Sequence, residues 1–430
     1  YGRPWLRSCP YGRTRAGVAP PGHYAHRRRN VMPRLLQINV TANQGSHGRI
    51  AEDIGLLAMS RGWDSFIAYG RGTPRSSSQL IRIGSKADMY AHGAESRLLD
   101  NHGLASRGST RSLVRTIEEI SPDIVHLHNI HGYYVNYPIL FDCLRRLGVP
   151  VVWTFHDCWP FTGHCANFMA IGCEKWRTGC GSCPRLSAYP ASLFADRSAA
   201  NFQLKKEVFT SLGSRLAIVA VSKFQQRYIS DSFLGSCDIR QIYNGVDTAV
   251  FRPVCEKDTE PRMVLGVANV WNRDKGLDDM IALSEMLPGD MRVVLAGLSP
   301  SQLRRLPAGV TGIAHTEGVA ELARLYSRAT VFVNPTWEDN FPTTNIEALA
   351  CGTPVITYRT GGSPEAVDAA TGMVVPRGDL AALAGAVKEI ASCSTEALGE
   401  QCRARALALY DKKERYTEYI ALYEDLFGTL

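Results

Sequence analysis

Two carboxylates stand eight residues apart in the segment 335–355, which reads PTWEDNFPTTNIEALACGTPV. Asp339 precedes an Asn-Phe-Pro break, and Glu347 follows it. The free N–H groups and the dipole at the start of a helix favour a bound anion such as a diphosphate. A carboxylate on the same turn can accept hydrogen bonds from both hydroxyls of a ribose. The spacing therefore indicates a nucleoside diphosphate site, although a capped helix with an ordinary Glu fits the same letters.

The element that must position these carboxylates is a helix that begins after Pro342. Thr343 or Thr344 can cap it, because a hydroxyl accepts from the free backbone N–H groups of the first turn. The helix is expected to run through Ala350, and Gly352 and Pro354 are the residues that stop it there.

The segment resembles the acid–seven residues–acid motif of retaining glycosyltransferase family 4. The wording EDNFPTTNIEALACGTPV is most similar to bacterial enzymes of that family that build exopolysaccharides of the colanic-acid type. The resemblance implies a GT-B fold, in which two Rossmann-like domains face a cleft. The family's first acid is normally Glu. Here Asp339 matches it, with Glu338 beside it, so the first carboxylate is one methylene shorter or shifted by one residue.

A second candidate group is cationic and lies in the segment GVANVWNRDKG, directly after a strand-like run. Lys275 in this loop could neutralise a departing diphosphate, whereas a lone Lys is commonly a solvated surface residue. The Lys275–Gly276 pair matches the family's Lys-Gly motif, which implies the diphosphate role. The family usually has an Arg five or six residues earlier, where this chain has Asn269 and Val270. Arg273 is the candidate replacement.

Histidines follow two of the strand-like runs. His156 comes after the run that starts at Val151, and it matches a family His that faces the donor sugar. The carboxyl ends of strands line the ligand cleft in doubly wound sheets, but a His satisfied within the core is the alternative. His126, His128 and His131 could bind a metal or line the acceptor side of the cleft. The second interpretation is favoured, because no carboxylate or Cys completes a metal set nearby.

Strand-like and helical runs alternate along the chain, which predicts an α/β fold with parallel sheets. The predicted strands are 34–40, 65–69, 124–127, 151–154 and 217–221 in a first series, and 263–267, 291–296, 331–333 and 355–357 in a second. The series meet at NGVDTAVFRP, residues 244–253, a phrase that also resembles the family's interdomain segment.

These series predict two doubly wound domains. The first covers residues 32–245, binds the acceptor and contains a Cys-rich insertion at 158–185. The second covers 246–408 and binds the donor nucleotide. In the GT-B fold, a final helix, here 409–430, returns to the first domain.

The loop after the first predicted strand contains Gly45 and Gly48, which would let the backbone approach a ligand closely. The loop does not read G-x-G-x-x-G, so a dinucleotide fingerprint is not supported.

Cysteine is concentrated in one short segment. Five of the twelve cysteines fall between Cys158 and Cys183. Within this group, a tetrahedral thiolate site for structural Zn²⁺ could use Cys165, Cys173, Cys180 and Cys183. Irregular spacing and the frequency of buried free Cys fit reduced core cysteines equally well. A catalytic metal and a redox Cys-x-x-Cys pair are less favoured, and the transfer itself is expected to need no cofactor, since no Asp-x-Asp motif appears in the cleft segments.

The net charge of +7 is concentrated at the beginning of the chain. Residues 1–31 hold seven arginines and no acid, and subtracting them from 48 basic residues leaves 41 against 41 acidic ones. The balanced remainder argues against a nucleic-acid partner. Residues 1–31 are predicted to be a disordered basic extension, with contact to anionic lipid as the alternative. No run approaches 18 apolar residues, so the predicted location is cytoplasmic, with peripheral contact to the inner membrane left open.

The predicted function is retaining transfer of a sugar from a nucleotide-diphospho-sugar to a glycan or lipid-linked glycan in bacterial polysaccharide biosynthesis. Substrate binding is assigned to Glu347, Arg273, Phe341, Pro342, Thr343, Gly45 and His128, and catalytic roles are assigned to His156, Asp339 and Lys275. Two other classes stay open. One is an epimerase or phosphorylase on the same scaffold, and the other is a non-catalytic nucleotide-sugar-binding protein.

Overall fold

The computed structural model describes residues 32–393 and 395–428 of the 430-residue chain. The predicted basic extension over residues 1–31 and the last two residues of the predicted final helix lie outside the described residues. The described part forms two parallel β-sheets, of seven and six strands, with helices connecting most of the strands. The predicted fold class, α/β with two Rossmann-like halves, is confirmed.

The first sheet lies in the N-terminal half. Its strands are β1 (Arg34–Thr41), β2 (Asp64–Arg71), β3 (Gln79–Arg82), β4 (Ile124–Leu127), β5 (Val151–Phe155), β6 (Leu216–Ala220) and β7 (Asp238–Gln241). They lie in the order β3-β2-β1-β4-β5-β6-β7 and pair in parallel throughout. The helices of this half are α1 (Gly45–Ser60), α2 (Lys86–Leu99), α3 (Arg107–Ile120), α4 (Tyr137–Leu147), α5 (Ser198–Thr210) and α6 (Lys223–Ser230).

The second sheet follows. Its strands are β8 (Arg262–Val267), β9 (Met291–Ala296), β10 (Val310–Ile313), β11 (Val331–Asn334), β12 (Val355–Tyr358) and β13 (Gly372–Val375), in the order β10-β9-β8-β11-β12-β13. The helices are α7 (Leu277–Met286), α8 (Pro300–Leu303), α9 (Val319–Arg328), α10 (Thr343–Ala350), α11 (Leu380–Ser392), α12 (Thr395–Tyr410) and α13 (Lys412–Gly428). In both sheets the strand order reverses beside the first strand, which creates the crevice where doubly wound folds bind ligands.

The interior strands are those that the sequence pattern predicts. All nine predicted strands are present, with ends that differ by two residues or fewer. The four missed strands, β3, β7, β10 and β13, are the outer strands of the two sheets. An interior strand such as β5 is buried at every residue, whereas β7 alternates between exposed and half-buried residues. A strand covered on fewer sides needs no continuous apolar run, so the pattern that marks the interior strands is absent from the edges.

The final helix α13 packs on the N-terminal half. Tyr419 and Tyr423 are buried in a cluster with apolar residues of α1 and the first sheet. Lys412, the first residue of α13, places Nζ 3.0 Å from Asp53 in α1 and 2.9 Å from Asp247 between the two sheets. The helix is thus attached by apolar packing and by an ion-pair cluster. The domain limits at 245 and 408 remain predictions.

The Cys-rich stretch joins β5 to α5. Between Phe155 and Ser198, which the structure describes throughout, the only regular elements are three 3₁₀ turns, Trp159–Phe161, Met169–Ile171 and Lys175–Arg177. Trp159, Phe161 and Trp176 are fully buried against the core of the first sheet. The stretch is therefore ordered by side-chain packing rather than by backbone ladders.

Candidate active site

A loop at the carboxyl end of a strand in one sheet contacts a loop at the carboxyl end of a strand in the other. Asn340, from the loop after β11, donates from Nδ2 to the carbonyl oxygen of His156, which follows β5 (3.2 Å). Its Oδ1 also lies 3.5 Å from the Cys158 sulfur. This contact brings the predicted carboxylate motif against the predicted His.

Lys275 and Asp339, which are 64 residues apart in sequence, form an ion pair. Lys275 Nζ lies 2.5 Å from Asp339 Oδ2. Lys275 ends a 3₁₀ turn after β8, where the Asn272 side chain accepts from its backbone N–H (2.9 Å). Gly276 follows with φ +74°, and a Cβ there would lie 2.2 Å from the oxygen of Pro335. A glycine is therefore required for the Lys275 loop to sit against the loop that carries Asp339.

The charge of Lys275 is held by its acidic neighbours. Burial alone would lower the pKa of Lys275, but the carboxylates of Asp339, Glu338 and Asp274 outweigh it and raise the pKa above its usual value. Lys275 is therefore a fixed cation at this edge of the second sheet. Arg273, predicted as the second cation, is exposed at the start of the turn. The described contacts do not bring it to Asp339.

The two adjacent acids have different surroundings. Glu338 is 4% exposed and turns toward the Cys-rich stretch, where it accepts from Arg185 (2.6 Å) and from the backbone N–H of Ala170 (3.1 Å). Asp339 turns toward Lys275 instead. The structure thus gives the position beside the cation to Asp339, while Glu338 joins the two halves of the molecule.

Helix α10 begins without a side-chain cap. Its N-cap is Pro342, and neither Thr343 nor Thr344 caps it, because both already lie inside the first turn. The predicted threonine cap is therefore wrong, although the helix ends at Ala350 as predicted. Backbone N–H groups of this turn are left without a capping side chain among the described residues, so they are available to an anion.

Phe341, predicted to contact substrate, is 3% exposed. Its ring packs against Tyr243 and Tyr410 with centroids 4.9 and 5.7 Å away. Its backbone N–H donates to Asp339 Oδ1 (3.2 Å). The ring is therefore part of the packing beneath the loop, and it does not reach the cleft in this arrangement.

Glu347 lies on the first turn and a half of α10. It accepts a hydrogen bond from the hydroxyl of Tyr326 (2.9 Å). Burial raises the pKa of Glu347, while Tyr326 and the positive charge of Arg49 act in the opposite direction. Arg49 belongs to α1 of the N-terminal half and is exposed. The charge of Arg49, from the other half of the molecule, thus acts on the carboxylate predicted to hold a ribose, and sequence reasoning did not single out Arg49.

A glycine pair that the sequence interpretation missed supports the motif from the other side. Gly361 has φ +56°, and a Cβ on it would lie 1.8 Å from the oxygen of Asp339. Gly362 donates its backbone N–H to the same oxygen (3.2 Å). The dipeptide Gly361–Gly362 shortly after β12 was the available signal, since paired glycines mark close backbone approach.

The first sheet contributes imidazoles. His156 Nε2 lies 3.2 Å from His128 Nδ1, and the His156 ring is stacked at 5.5 Å on His128 and 5.7 Å from His47. Burial and the neighbouring histidines lower the pKa of His156 well below its ordinary value, and burial does the same for His128. These two imidazoles are therefore neutral at physiological pH.

The predicted acceptor-side cluster is divided by the structure. His126 is fully buried and bonds to Thr154 (2.8 Å) and to Tyr423 of α13 (2.5 Å), so it does not line a cleft. His131 lies 2.8 Å from Asp157 Oδ2. Of the three, His128 is the one whose ring contacts His156.

The glycines of the first loop differ in their surroundings. Gly45 opens α1 with φ +67° and is exposed, with no atom within 4 Å of a built Cβ. Gly48 is buried, and a Cβ on it would meet the Thr41 hydroxyl at 2.7 Å. Gly45 thus has open space beside it, whereas Gly48 is needed for packing.

The four cysteines predicted to bind zinc lie around one small cavity, together with His164. Within residues 32–393 and 395–428, no three His, Cys, Asp or Glu side chains already converge in the manner of a bound metal. The predicted zinc site remains a prediction at this point.

Two glycosyltransferase family models match adjoining parts of the chain. The model described as Glycosyltransferase Family 4 matches residues 51–250, and the model described as Glycosyl transferases group 1 matches residues 261–392. The chain belongs to glycosyltransferase family 4.

Relatives of this family 4 chain include the Escherichia coli (strain K12) protein WcaC, whose name assigns it as a glycosyl transferase of colanic acid biosynthesis. WcaC is 27% identical over 416 residues, which cover 91% of this chain and 100% of WcaC. The D-inositol 3-phosphate glycosyltransferase of Mycobacteroides abscessus is 34% identical over 115 residues, 24% of this chain and 26% of that protein.

Solved structures share the fold. The sucrose-phosphate synthase of Thermosynechococcus elongatus has a TM-score of 0.68 at 18% identity and covers 93% of this chain and 100% of its own. Anabaena Alr3699/HepE, solved in complex with UDP-glucose, has a TM-score of 0.62 at 15% identity and covers 92% and 100%. The structural similarity establishes the GT-B architecture, and at these low sequence identities it establishes nothing finer. In the described part of the chain, none of the helices has the length and apolar character that crossing a membrane requires.

Proposed function

We propose that this glycosyltransferase moves a sugar from a nucleotide-diphospho-sugar to a glycan or lipid-linked glycan, with retention of configuration at the anomeric carbon. The observation that carries the proposal is the Lys275–Asp339 pair beside the uncapped start of α10. A cation, free N–H groups and the Glu347 carboxylate then lie at one edge of the second sheet. A diphosphate flanked by a ribose has a complementary pattern of charge and hydroxyls.

The class of donor is supported by a fold relative. Anabaena Alr3699/HepE is described in complexes with UDP, with UDP and glucose, and with UDP-glucose. The acceptor class is supported by the name of WcaC, which spans nearly the whole of this chain. We infer a donor of the same chemical class and an acceptor used in exopolysaccharide assembly.

In the proposed reaction, the bond between the anomeric carbon and the diphosphate oxygen breaks, and negative charge grows on the leaving group. Lys275 and the first N–H groups of α10 meet that charge, and groups fixed before the reaction stabilise it without reorganising. Lys275 would exchange Asp339 for a phosphate oxygen as the donor binds. Asp339 would then be free to accept from a sugar hydroxyl.

On the other side of the cleft, neutral His156 offers a hydrogen bond to the donor sugar without adding a charge. The resemblance to family 4 implies that the attacking acceptor hydroxyl gives its proton to a donor phosphate oxygen on the same face. The new bond then forms on the face that the leaving group vacates, and configuration is retained. No enzymic nucleophile is required in this scheme.

The direct test is an assay with a panel of nucleotide-diphospho-sugars and lipid-linked acceptors, followed by NMR of the product anomer. The expected result is release of a nucleoside diphosphate with formation of a glycoside of the donor's anomeric configuration. An inverted product would refute retention. An isomerised donor would favour an epimerase, and a sugar phosphate formed with inorganic phosphate would favour a phosphorylase. Tight donor binding with neither hydrolysis nor transfer would favour a binding protein.

A further inference from the structure

The Cys-rich stretch encloses a small cavity next to the cleft. The cavity has a volume of about 20 Å³, on the order of one water-sized probe. Five potential metal donors are among the residues that line it, namely His164, Cys165, Cys173, Cys180 and Cys183. Four other lining residues are aromatic or cationic, and no carboxylate lines it.

His164 supplies an independent sign of a missing partner. It is 2% exposed, and its Nδ1 lies 2.6 Å from Asp100 Oδ1. Its Nε2 is buried and has no hydrogen-bond partner among the described residues. A carboxylate that accepts from Nδ1–H leaves a lone pair on Nε2, which is the arrangement that second-shell carboxylates impose on metal-binding histidines. A buried nitrogen without a partner is otherwise costly.

The thiols are also arranged as ligands commonly are. The backbone N–H of Gly163 points at the Cys180 sulfur at 3.2 Å, and such hydrogen bonds stabilise a thiolate. The Cys165 and Cys183 side chains line the same cavity. Cys180 and Cys183 form a C-x-x-C pair that can chelate one ion.

We propose that this cavity is a structural zinc site. Cys173, Cys180 and Cys183 supply three thiolates, and one donor comes from the neighbouring pair His164–Cys165. Consecutive side chains tend to point in different directions, so one member of that pair completes a tetrahedron more readily than both. Small side-chain rotations within the cavity must bring the donors to about 2.0–2.3 Å from the ion.

The site explains how a stretch without helices or strands can hold a precise contact at the active site. Arg185 comes two residues after Cys183 and donates to Glu338 (2.6 Å) and to Asp274 (3.3 Å). These acids directly precede Asp339 and Lys275 in sequence. A metal that fixes the Cys180–Cys183 turn would therefore also fix Arg185, which contacts the loops that carry Lys275 and Asp339. This consequence rests on the proposed function, but zinc binding itself does not.

The first experiment is elemental analysis of the full-length protein, purified without chelator, with separate Cys180→Ser and Cys237→Ser variants. Wild type is expected to carry about one zinc per chain. Cys180→Ser should lose most of it. Cys237→Ser should keep it, because Cys237 is equally half-buried in the N-terminal half but lies outside the cavity. Metal-free wild type, or equal zinc in all three proteins, would overturn the proposal.

The fourth ligand is assigned by comparing His164→Gln with Cys165→Ser after replacement of zinc by Co²⁺. Loss of tight binding in one variant only, with the sulfur-to-cobalt absorption retained in the other, identifies the donor. Unchanged cobalt spectra in both variants, with no sulfur-to-cobalt band in wild type, would overturn the site.

Chelation of the wild-type protein tests the metal without any substitution, so the result does not depend on whether a variant folds. Removal of the metal should lower the melting temperature, and Zn²⁺ but not Mg²⁺ should restore it. No shift on verified removal would refute a structural role. If the protein purified without chelator contains no zinc and has full transfer activity, the zinc site is rejected and the proposed function is kept. If the protein contains zinc but transfers no sugar, the proposed function is rejected and the zinc site is kept.

Discussion

The two sheet edges that meet at the cleft differ in the charge of the side chains that they contribute. The second sheet presents a fixed cation and carboxylates, with Lys275 paired to Asp339 and Glu347 one turn into α10. The first sheet presents imidazoles whose pKa values are lowered by burial, so they are neutral. Under the proposed function, the charged leaving group would lie on the side of the second sheet and the uncharged sugar on the side of the first.

The physical reason lies in what surrounds each edge. Lys275 remains partly exposed and has three acids close by, so its charge is stabilised. His156 and His128 stack on one another with no carboxylate in direct contact with their rings among the described pairs, so protonation would bury an uncompensated charge. Under the proposed function, the fixed cation lies where the leaving group would gain negative charge, and the neutral imidazoles lie where the sugar would bind.

The largest expected effect comes from removing the cation. Lys275→Ala should lower kcat by about 10²- to 10³-fold, with a smaller change in donor affinity, because the interaction strengthens as the leaving group gains charge. The measurement is kcat and KM against one donor. Lys388→Ala is the control, since Lys388 is exposed on α11. A rise in KM alone would make Lys275 a binding residue.

The adjacent acids provide the next test. Asp339→Asn removes the partner of Lys275 and a proposed sugar contact, so kcat should fall by about 10²-fold. Glu338→Gln keeps a polar side chain beside Arg185 but loses its charge, so its main effect should be a loss of about 1–3 kcal/mol in the free energy of unfolding. Steady-state kinetics and denaturant unfolding of both variants separate the roles. A larger kinetic effect in Glu338→Gln would assign the first acid of the motif to Glu338.

Glu347→Gln should weaken nucleoside diphosphate binding about tenfold or more, since hydrogen bonds to a charged group contribute about 1.5–3 kcal/mol. Calorimetric titration with the diphosphate measures it. Tyr326→Phe is the companion variant, because it leaves the carboxylate but removes its internal partner, and it should reduce affinity less. Wild-type affinity in Glu347→Gln would remove that residue from the ribose role.

The smallest effect tests the buried imidazoles of the N-terminal half. Burial lowers the pKa values of His47 and His92 to about 4, below the unfolded value of 6.5. The unfolded chain then binds more protons than the folded one between these values, so stability is full above pH 6.5 and falls as the pH drops toward 4. For His92, which is 1% exposed, the slope is about 1.4 kcal/mol per pH unit at most.

Unfolding curves in denaturant at several pH values measure this slope. His92→Gln should reduce this slope by up to about 1.4 kcal/mol per pH unit, because the unfolded variant takes up one proton fewer. An unchanged slope in the variant would show that His92 does not carry the pH dependence.

Interior strands, α10 and the family of this chain could be predicted because each depends on local pattern. β5 reads as a buried strand through its continuous apolar residues, and the Asn-Phe-Pro break followed by two threonines marks the start of α10. Lys275 and Asp339 could be selected for the same reason, since each lies in a short motif that directly follows a strand.

The tertiary structure alone decided which of these residues meet. Glu338 and Asp339 are one residue apart with similar chemistry, and their roles separate because Arg185 arrives from a stretch about 150 residues earlier. The ring of Phe341 turned inward because Tyr243 and Tyr410 offer it an apolar surface. His126 left the cleft because α13 covers it. Edge strands, cross-cleft ion pairs and buried imidazoles depend on contacts between residues that are far apart in sequence, so the local periodicity of the sequence does not predict them.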